Sequence, residues 1–205
     1  MRQALALLEF SGAAAGILAA DRLLKAAPIA LLRCGTVHPG RYLVLVGGTV
    51  AATAEAHAAG LDAGGALGAV IDEVCLPDPH PQLAGALGGE RLAPAGEALG
   101  VVEVGTSPGL LRAIDAALKA VPVDLVELRL ADDLGGRALA VVSGRLTDVQ
   151  EALDLARARR GERAEWLGGT VLPRLDDTLR EALAESTRFG DCRARQPAGA
   201  ETGEG

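Results

Sequence analysis

Few side chains in this 205-residue sequence are equipped for chemistry, and several of them sit beside turns. His38 lies in the stretch TVHPGR, directly before Pro39 and Gly40. Proline fixes φ and lacks an N–H, and glycine admits positive φ, so the turn holds an imidazole in a defined direction. Imidazole ligates metals and changes charge near neutrality. Farther on, LADDLGGR sets Asp132 and Asp133 ahead of Leu134, Gly135 and Gly136, a second turn. Arg41 follows the first turn and Arg137 the second. Cys34, Cys75 and Cys192 are widely spaced and odd in number, so they form neither a CxxC metal pair nor a disulfide framework. His57 reads as a helix-surface residue and His80 as a cap before a short helix. Cys34 reads as a small buried hydrophobe at the end of a strand. There is no Ser-His-Asp set, phosphate loop or paired-carboxylate cleft.

Composition narrows the function classes. Hydrophobic residues make up 49% of the chain but aromatics only 2%, so a core must be built from Ala, Val, Leu and Ile. Such a chain offers no stacking platform for bases. A net charge of −7 without a Lys/Arg run also argues against nucleic acid. The opening MRQALALLEFSGAAAGILAA has the outline of a signal peptide, but Glu9 interrupts it and the same pattern returns in mid-chain. No apolar run approaches the roughly 18–20 residues of a membrane span, so a soluble protein is expected.

The elements that position the turns come twice. ALALLEFSGAAAGILAADRLLKAAPIALL (4–32) and ALGVVEVGTSPGLLRAIDAALKAVPVDLV (98–126) share Ala, Leu, Glu, Asp, Lys and Pro positions at an offset of 94. GRYLVLVGG and GRALAVVSG continue the match at an offset of 96, and so do Leu76-Pro77 and Leu172-Pro173. The change falls between Leu31 and Gly40, on the His38 turn, because loops absorb insertions and core strands do not. Apolar runs of strand length and Ala/Leu-rich helical stretches alternate as βαββαβ plus a terminal helix in each copy, an α+β layer of sheet and helices. Lys25 and Lys119 end the first helix of each copy, where a cation suits the helix dipole. The expected division is a first domain over 1–87, a linker over 88–97, a second domain over 98–185 and a disordered tail over 186–205.

AADRLLKAAPIALL, repeated as AIDAALKAVPVDLV, resembles the A-x-D-x-x-x-K-x-x-x-V signature of bacterial microcompartment shell proteins. GRYLVLVGGTV and the closing VLPR agree with it, and the likeness covers both copies. The resemblance implies the unpermuted tandem-domain class, in which three chains form a pseudohexameric tile in the shell of a compartment in the bacterial cytoplasm. Within that class the chain is most similar to the tandem shell proteins of propanediol-degrading compartments. It also implies that Lys25, Lys119 and Arg174 lie at tile edges, although Asp78 stands where the first copy should carry the matching arginine.

By the same resemblance Val37, His38, Pro39 and Gly40, with Asp132, Asp133, Leu134 and Gly135, line a central pore. His38 takes the place of a cysteine that binds an iron–sulfur cluster in the propanediol type, and without that thiolate no cluster is expected. Three His38 rings around an axis can hold Zn²⁺, Ni²⁺ or Cu²⁺, can gate with pH, or can simply line a polar pore. Carboxylates at the rim favour cations and the arginines act oppositely, which leaves the sign of selectivity open. The expected function is therefore a homotrimeric shell tile, not an enzyme. It would contact other shell proteins and pass small metabolites, with no nucleic-acid or membrane partner. A metal- or electron-handling pore subunit is the alternative, and a regulatory module binding an effector between the copies stands behind both.

Overall fold

A computed structural model describes residues 4–131 and 133–193. The first half runs β1 (Ala4–Phe10), α1 (Ala13–Ala26), β2 (Ala30–Val37), β3 (Arg41–Gly48), α2 (Val50–Gly65), β4 (Val70–Leu76) and α3 (Pro81–Leu87). The second repeats it as β5 (Ala98–Val104), α4 (Ser107–Ala120), β6 (Asp124–Leu130), β7 (Ala138–Gly144), α5 (Leu146–Arg159), β8 (Trp166–Leu172) and α6 (Asp177–Glu185). Each half carries an antiparallel sheet, ordered β2-β3-β1-β4 and β6-β7-β5-β8. Even the register shifts recur, at Glu9/Phe10 and Glu103/Val104 and again at Leu31/Arg33 and Leu125/Glu127.

Strand alternation separates two apolar layers. In the first half Ala6, Leu8, Phe10, Val44 and Val46 face Ala19, Leu23, Ala52 and Ala56 of the two helices. The opposite face, with Leu7, Leu43 and Leu45, joins Val74, Leu76 and Leu83 in a cluster that continues into Leu110, Leu111, Ile114 and Leu118 of α4. Both faces of β1 are thus covered, which is why it is apolar at every position except Glu9. The two copies share one core.

Two expectations need correction. Cys34 is exposed and lies inside β2, because β2 continues to Val37 and is an edge strand. His57 is half-buried rather than a surface residue, with Nε2 2.7 Å from Glu73 Oε2. His80 does cap α3, its Nδ1 accepting from the Gln82 N–H at 3.3 Å. The first residues of the expected disordered tail fold back on the second half: Arg129 donates to Thr187 Oγ1 at 3.3 Å, and Arg188 pairs with Asp133 at 2.5 Å. Residues 194–205 of that tail lie outside the described residues. Among the described residues no helix is long and apolar enough to cross a membrane.

Small residues set the helix–sheet spacing. A Cβ at Gly64 on α2 would lie 2.3 Å from Cε1 of the fully buried Phe10. Overpacking of this kind costs about 1–3 kcal/mol, against about 1 kcal/mol gained when alanine replaces a helical glycine. Gly64→Ala is therefore expected to lower the melting temperature. An unchanged melt would mean that Phe10 has room to yield.

Candidate functional site

The first loop is a tight reversal between β2 and β3. Gly40, at φ 89°, donates its N–H to Val37 O at 2.9 Å. Val37 ends the strand half-buried, while His38, Pro39 and Gly40 are exposed. The second loop is longer and more contorted. Ala131, Asp133, Gly135 and Gly136 all have positive φ, and Leu134 N–H and Arg137 N–H donate to Ala131 O and Leu134 O at 3.2 and 3.1 Å. Positive φ at a residue bearing a Cβ persists only where its surroundings enforce it. Here Ala131 is fully buried and Asp133 is held by Arg188. Asp132 lies outside the described residues.

The two loops meet. A Cβ on Gly136 would come within 3.0 Å of both Pro39 Cδ and Arg41 Cζ, so only glycine permits this approach. Arg41 fastens the meeting point: Nη1 lies 2.6 Å from Glu9 Oε1 and donates to Gly105 O at 2.9 Å and Gly136 O at 3.0 Å. Glu9 is completely buried, and its other oxygen accepts from Ser107 N–H, the first residue of α4, at 2.8 Å. A carboxylate at a helix N-terminus is favoured by the helix dipole. Burial still raises the Glu9 pKa above its ordinary value, against the lowering by Arg41 and the Ser107 N–H.

Further polar joints run along the same boundary. Thr106 caps α4 and donates to Asp72 Oδ2 at 2.5 Å, and Arg112 reaches Asp72 at 3.7 Å and donates to Glu73 O. Gln82 receives Leu125 N–H at 2.7 Å and donates to Asp124 at 2.9 Å. Asp115 accepts from His80 N–H at 2.7 Å and pairs with Lys119 at 2.6 Å. Lys25 pairs with Asp21 at 2.7 Å on an open surface, and Arg174 is exposed. These lysines and Arg174 are not brought to the loops. Reading the sequence missed Glu9 as a site residue, although its signal was present: an acid inside an apolar strand, recurring as Glu103.

Among the described residues no group of three or more His, Cys, Asp or Glu side chains is placed to hold a metal ion. Among the described residues His38 belongs to no such group, so a metal there would need ligands from further copies.

Equivalent positions differ sharply in burial. On α4 and β6, Leu111, Leu118, Leu125 and Val126 are at most 6% exposed. Their counterparts Ile17, Leu24, Leu31 and Leu32 on α1 and β2 are 39–57% exposed. Leu83 on α3 is fully buried, whereas its counterpart Leu179 on α6 is 42% exposed. Within the chain the β4–α3 side of the first half covers the α4–β6 face of the second. One such face and one such cover are left without partners.

The fold is that of a duplicated shell domain, and the chain belongs to the bacterial microcompartment shell protein family. The BMC domain model matches residues 4–79 and 98–175, one match on each half. The chain is 32% identical over 185 residues to the bacterial microcompartment shell protein PduT of Citrobacter freundii, covering 90% of this chain and 100% of that protein. It is 43% identical over 84 residues to the bacterial microcompartment shell protein EutK of Escherichia coli K12, covering 40% of this chain and 51% of that one. Its fold matches the crystal structure of a microcompartment protein from Desulfitobacterium hafniense DCB with a TM-score of 0.73 and 31% identity, over 88% of this chain and 99% of that chain. The chain is a structural tile of a microcompartment shell and not an enzyme.

The buried Glu9 makes the domain joint pH-sensitive. Its folded pKa is raised, so in the interval above the ordinary 4.5 the folded chain binds more protons than the unfolded chain. Its contribution to stability therefore falls as pH rises through that interval and is constant above it. Urea melts of the wild type and of Glu9→Gln across this range are expected to show the wild type losing stability relative to the variant as pH rises. A difference that does not change with pH would mean that Glu9 keeps its ordinary pKa.

Proposed function

We propose that three copies of this chain close head to tail into a six-domain ring, a pseudohexamer, and that small metabolites cross the shell through its central opening. The observation that carries the reading is the unequal burial of equivalent residues. The uncovered α1–β2 face and the exposed Leu179 surface of α6 correspond to the two sides of the contact that α4–β6 and α3 already make within the chain. A contact between unlike surfaces repeats from copy to copy, and it ends only when the rotation closes a ring. The leucines of that face are 39–48% exposed, so covering each contributes about 1 kcal/mol, under half of a full burial.

The loops lie at one end of the domain joint, so ring closure gathers the loops of three chains around the axis. His38, Pro39 and Gly40 would form one part of the rim, with Asp133, Leu134 and Gly135 forming the other. Lys25, Lys119 and Arg174 would face neighbouring tiles and other shell proteins. Light scattering is expected to give about 60 kDa, three times the 20.8 kDa chain, and Leu179→Asp is expected to give the monomer. A wild-type monomer at micromolar concentration would sink the ring. Lys25→Ala with Lys119→Ala is expected to spare the ring and weaken lateral sheets, as seen by electron microscopy.

A His38 ring that holds Zn²⁺ predicts binding at one site per trimer that weakens from about pH 7.5 to about pH 5.5, because protons compete for imidazole. Calorimetry reads this directly. Binding unaffected by His38→Ala, or no binding at either pH, leaves His38 as pore lining.

A further inference from the structure

The joint around Arg41 has a second, incomplete copy. Glu103 pairs with Leu139 across β5–β7 in the same register as Glu9 with Leu43 across β1–β3. Arg137 precedes β7 as Arg41 opens β3. Yet Arg137 is exposed and Glu103 half-buried, and the two form no ion pair with each other or with any described residue. In the first half the same two side chains are held together by Gly105 O, Gly136 O and Ser107 N–H, all three supplied by the following domain. Among the described residues no further domain stands against the second half in this way.

The corresponding groups exist at the start of the chain, and they have the required shape. Gly105 N–H donates to Glu165 O at 2.9 Å, and its counterpart Ser11 N–H donates to Ala69 O at 2.9 Å, so the two acceptor loops are built alike. Gly136 and Gly40 share a backbone conformation, with φ of 82° and 89°. Ala13 opens α1 as Ser107 opens α4. One difference is telling. The Cβ position at Gly136 is crowded by Arg41, whereas at Gly40 no described atom lies within 4 Å. The space that the arginine fills at one loop is open at the other.

We propose that Arg137 and Glu103 complete this joint between chains. Arg137 pairs with Glu103 and donates to the backbone oxygens of Ser11 of the partner subunit and Gly40 of the partner subunit, while Glu103 accepts from the N–H of Ala13 of the partner subunit. Arg137 is thereby a positioning residue for the His38 turn, as Arg41 is for the loop at 131–137. Every loop at the opening is then held by the arginine of the preceding domain. This rests on the head-to-tail ring proposed above.

The test uses the full-length chain. Sedimentation across a concentration series, with hydrogen exchange of the Gly40 amide in the assembled ring, compares wild type with Arg137→Gln and Glu103→Gln. Losing a charge-assisted hydrogen bond is expected to weaken each contact about tenfold, which over three contacts is about a thousandfold in the overall trimer constant. The Gly40 amide is expected to exchange faster in any ring that still forms, and Arg137→Lys is expected to recover only part of the loss, lacking the guanidinium fork. The dissociated Arg137→Gln chain is expected to melt like wild type diluted until it too is dissociated, whereas Arg41→Gln, which cuts the joint inside the chain, is expected to melt earlier. A wild-type chain that never trimerises overturns the ring and this joint together. A wild-type trimer whose Arg137→Gln variant assembles at the same concentration, with unchanged Gly40 exchange, overturns the joint alone and leaves the ring standing.

Discussion

A carboxylate without solvent access must be paired and hydrogen-bonded, and this constraint at Glu9 organises the boundary between the two halves. Once Ala4–Phe10 is a central strand, Glu9 has nowhere to point but into the neighbouring domain. Ionised there alone it would cost several kcal/mol. Arg41 and the first N–H of α4 offset part of that cost, and in doing so they fix how α4 abuts the first sheet. The same guanidinium caps Gly136 O, so the shape of the second loop follows from the pairing of an acid more than a hundred residues earlier in the chain. Loop geometry, domain packing and the buried charge are one arrangement.

The duplication lets the in-chain joint serve as a pattern, and the departures from it have a direction. Asp72, Thr106 and Arg112 form a polar cluster within the chain. The repeat replaces them with Gly168, Gly12 and Leu18. Gln82, which bridges Asp124 and Leu125, becomes Thr178, too short to bridge in the same way. The surface left open is thus more apolar and has fewer directional bonds than the one closed within the chain. A joint folded once can carry several desolvated polar pairs, because its two sides are tethered. A contact that must form from free subunits gains more from area that needs little alignment.

Much of the architecture was legible because duplication supplies a comparison inside a single sequence. Residues recurring at offsets of 94 and 96 located strands and helices, and the change of offset located the loops where the halves differ. Pattern could not say how far β2 runs. LLRCGTV is neither alternating nor continuously apolar, because an edge strand exposed along its length has no buried face to impose a period. Cys34 was misplaced into the core for that reason. The return of residues 186–193 was equally hidden, since it depends on single polar contacts with Arg129 and Asp133 that leave no periodic trace. Glu9 and Glu103 were visible as repeats, but the complete burial of Glu9 comes from the neighbouring domain and not from its own strand.

The chain holds its two related turns in unequal ways. The His38 turn is short and internally closed by one hydrogen bond, and no described atom lies within 4 Å of the Cβ position at Gly40. The Asp133 loop is longer and rich in glycine, which alone would suggest the more mobile of the two. Arg41 and Arg188 tether it from opposite sides, so its extra length adds shape rather than freedom. Arg41 is also paired with Glu9, and Asp133 with Arg188, within the chain. His38 has no such counter-ion among the described residues. In this first loop the imidazole on the proline turn is the polar side chain left exposed to a passing ligand.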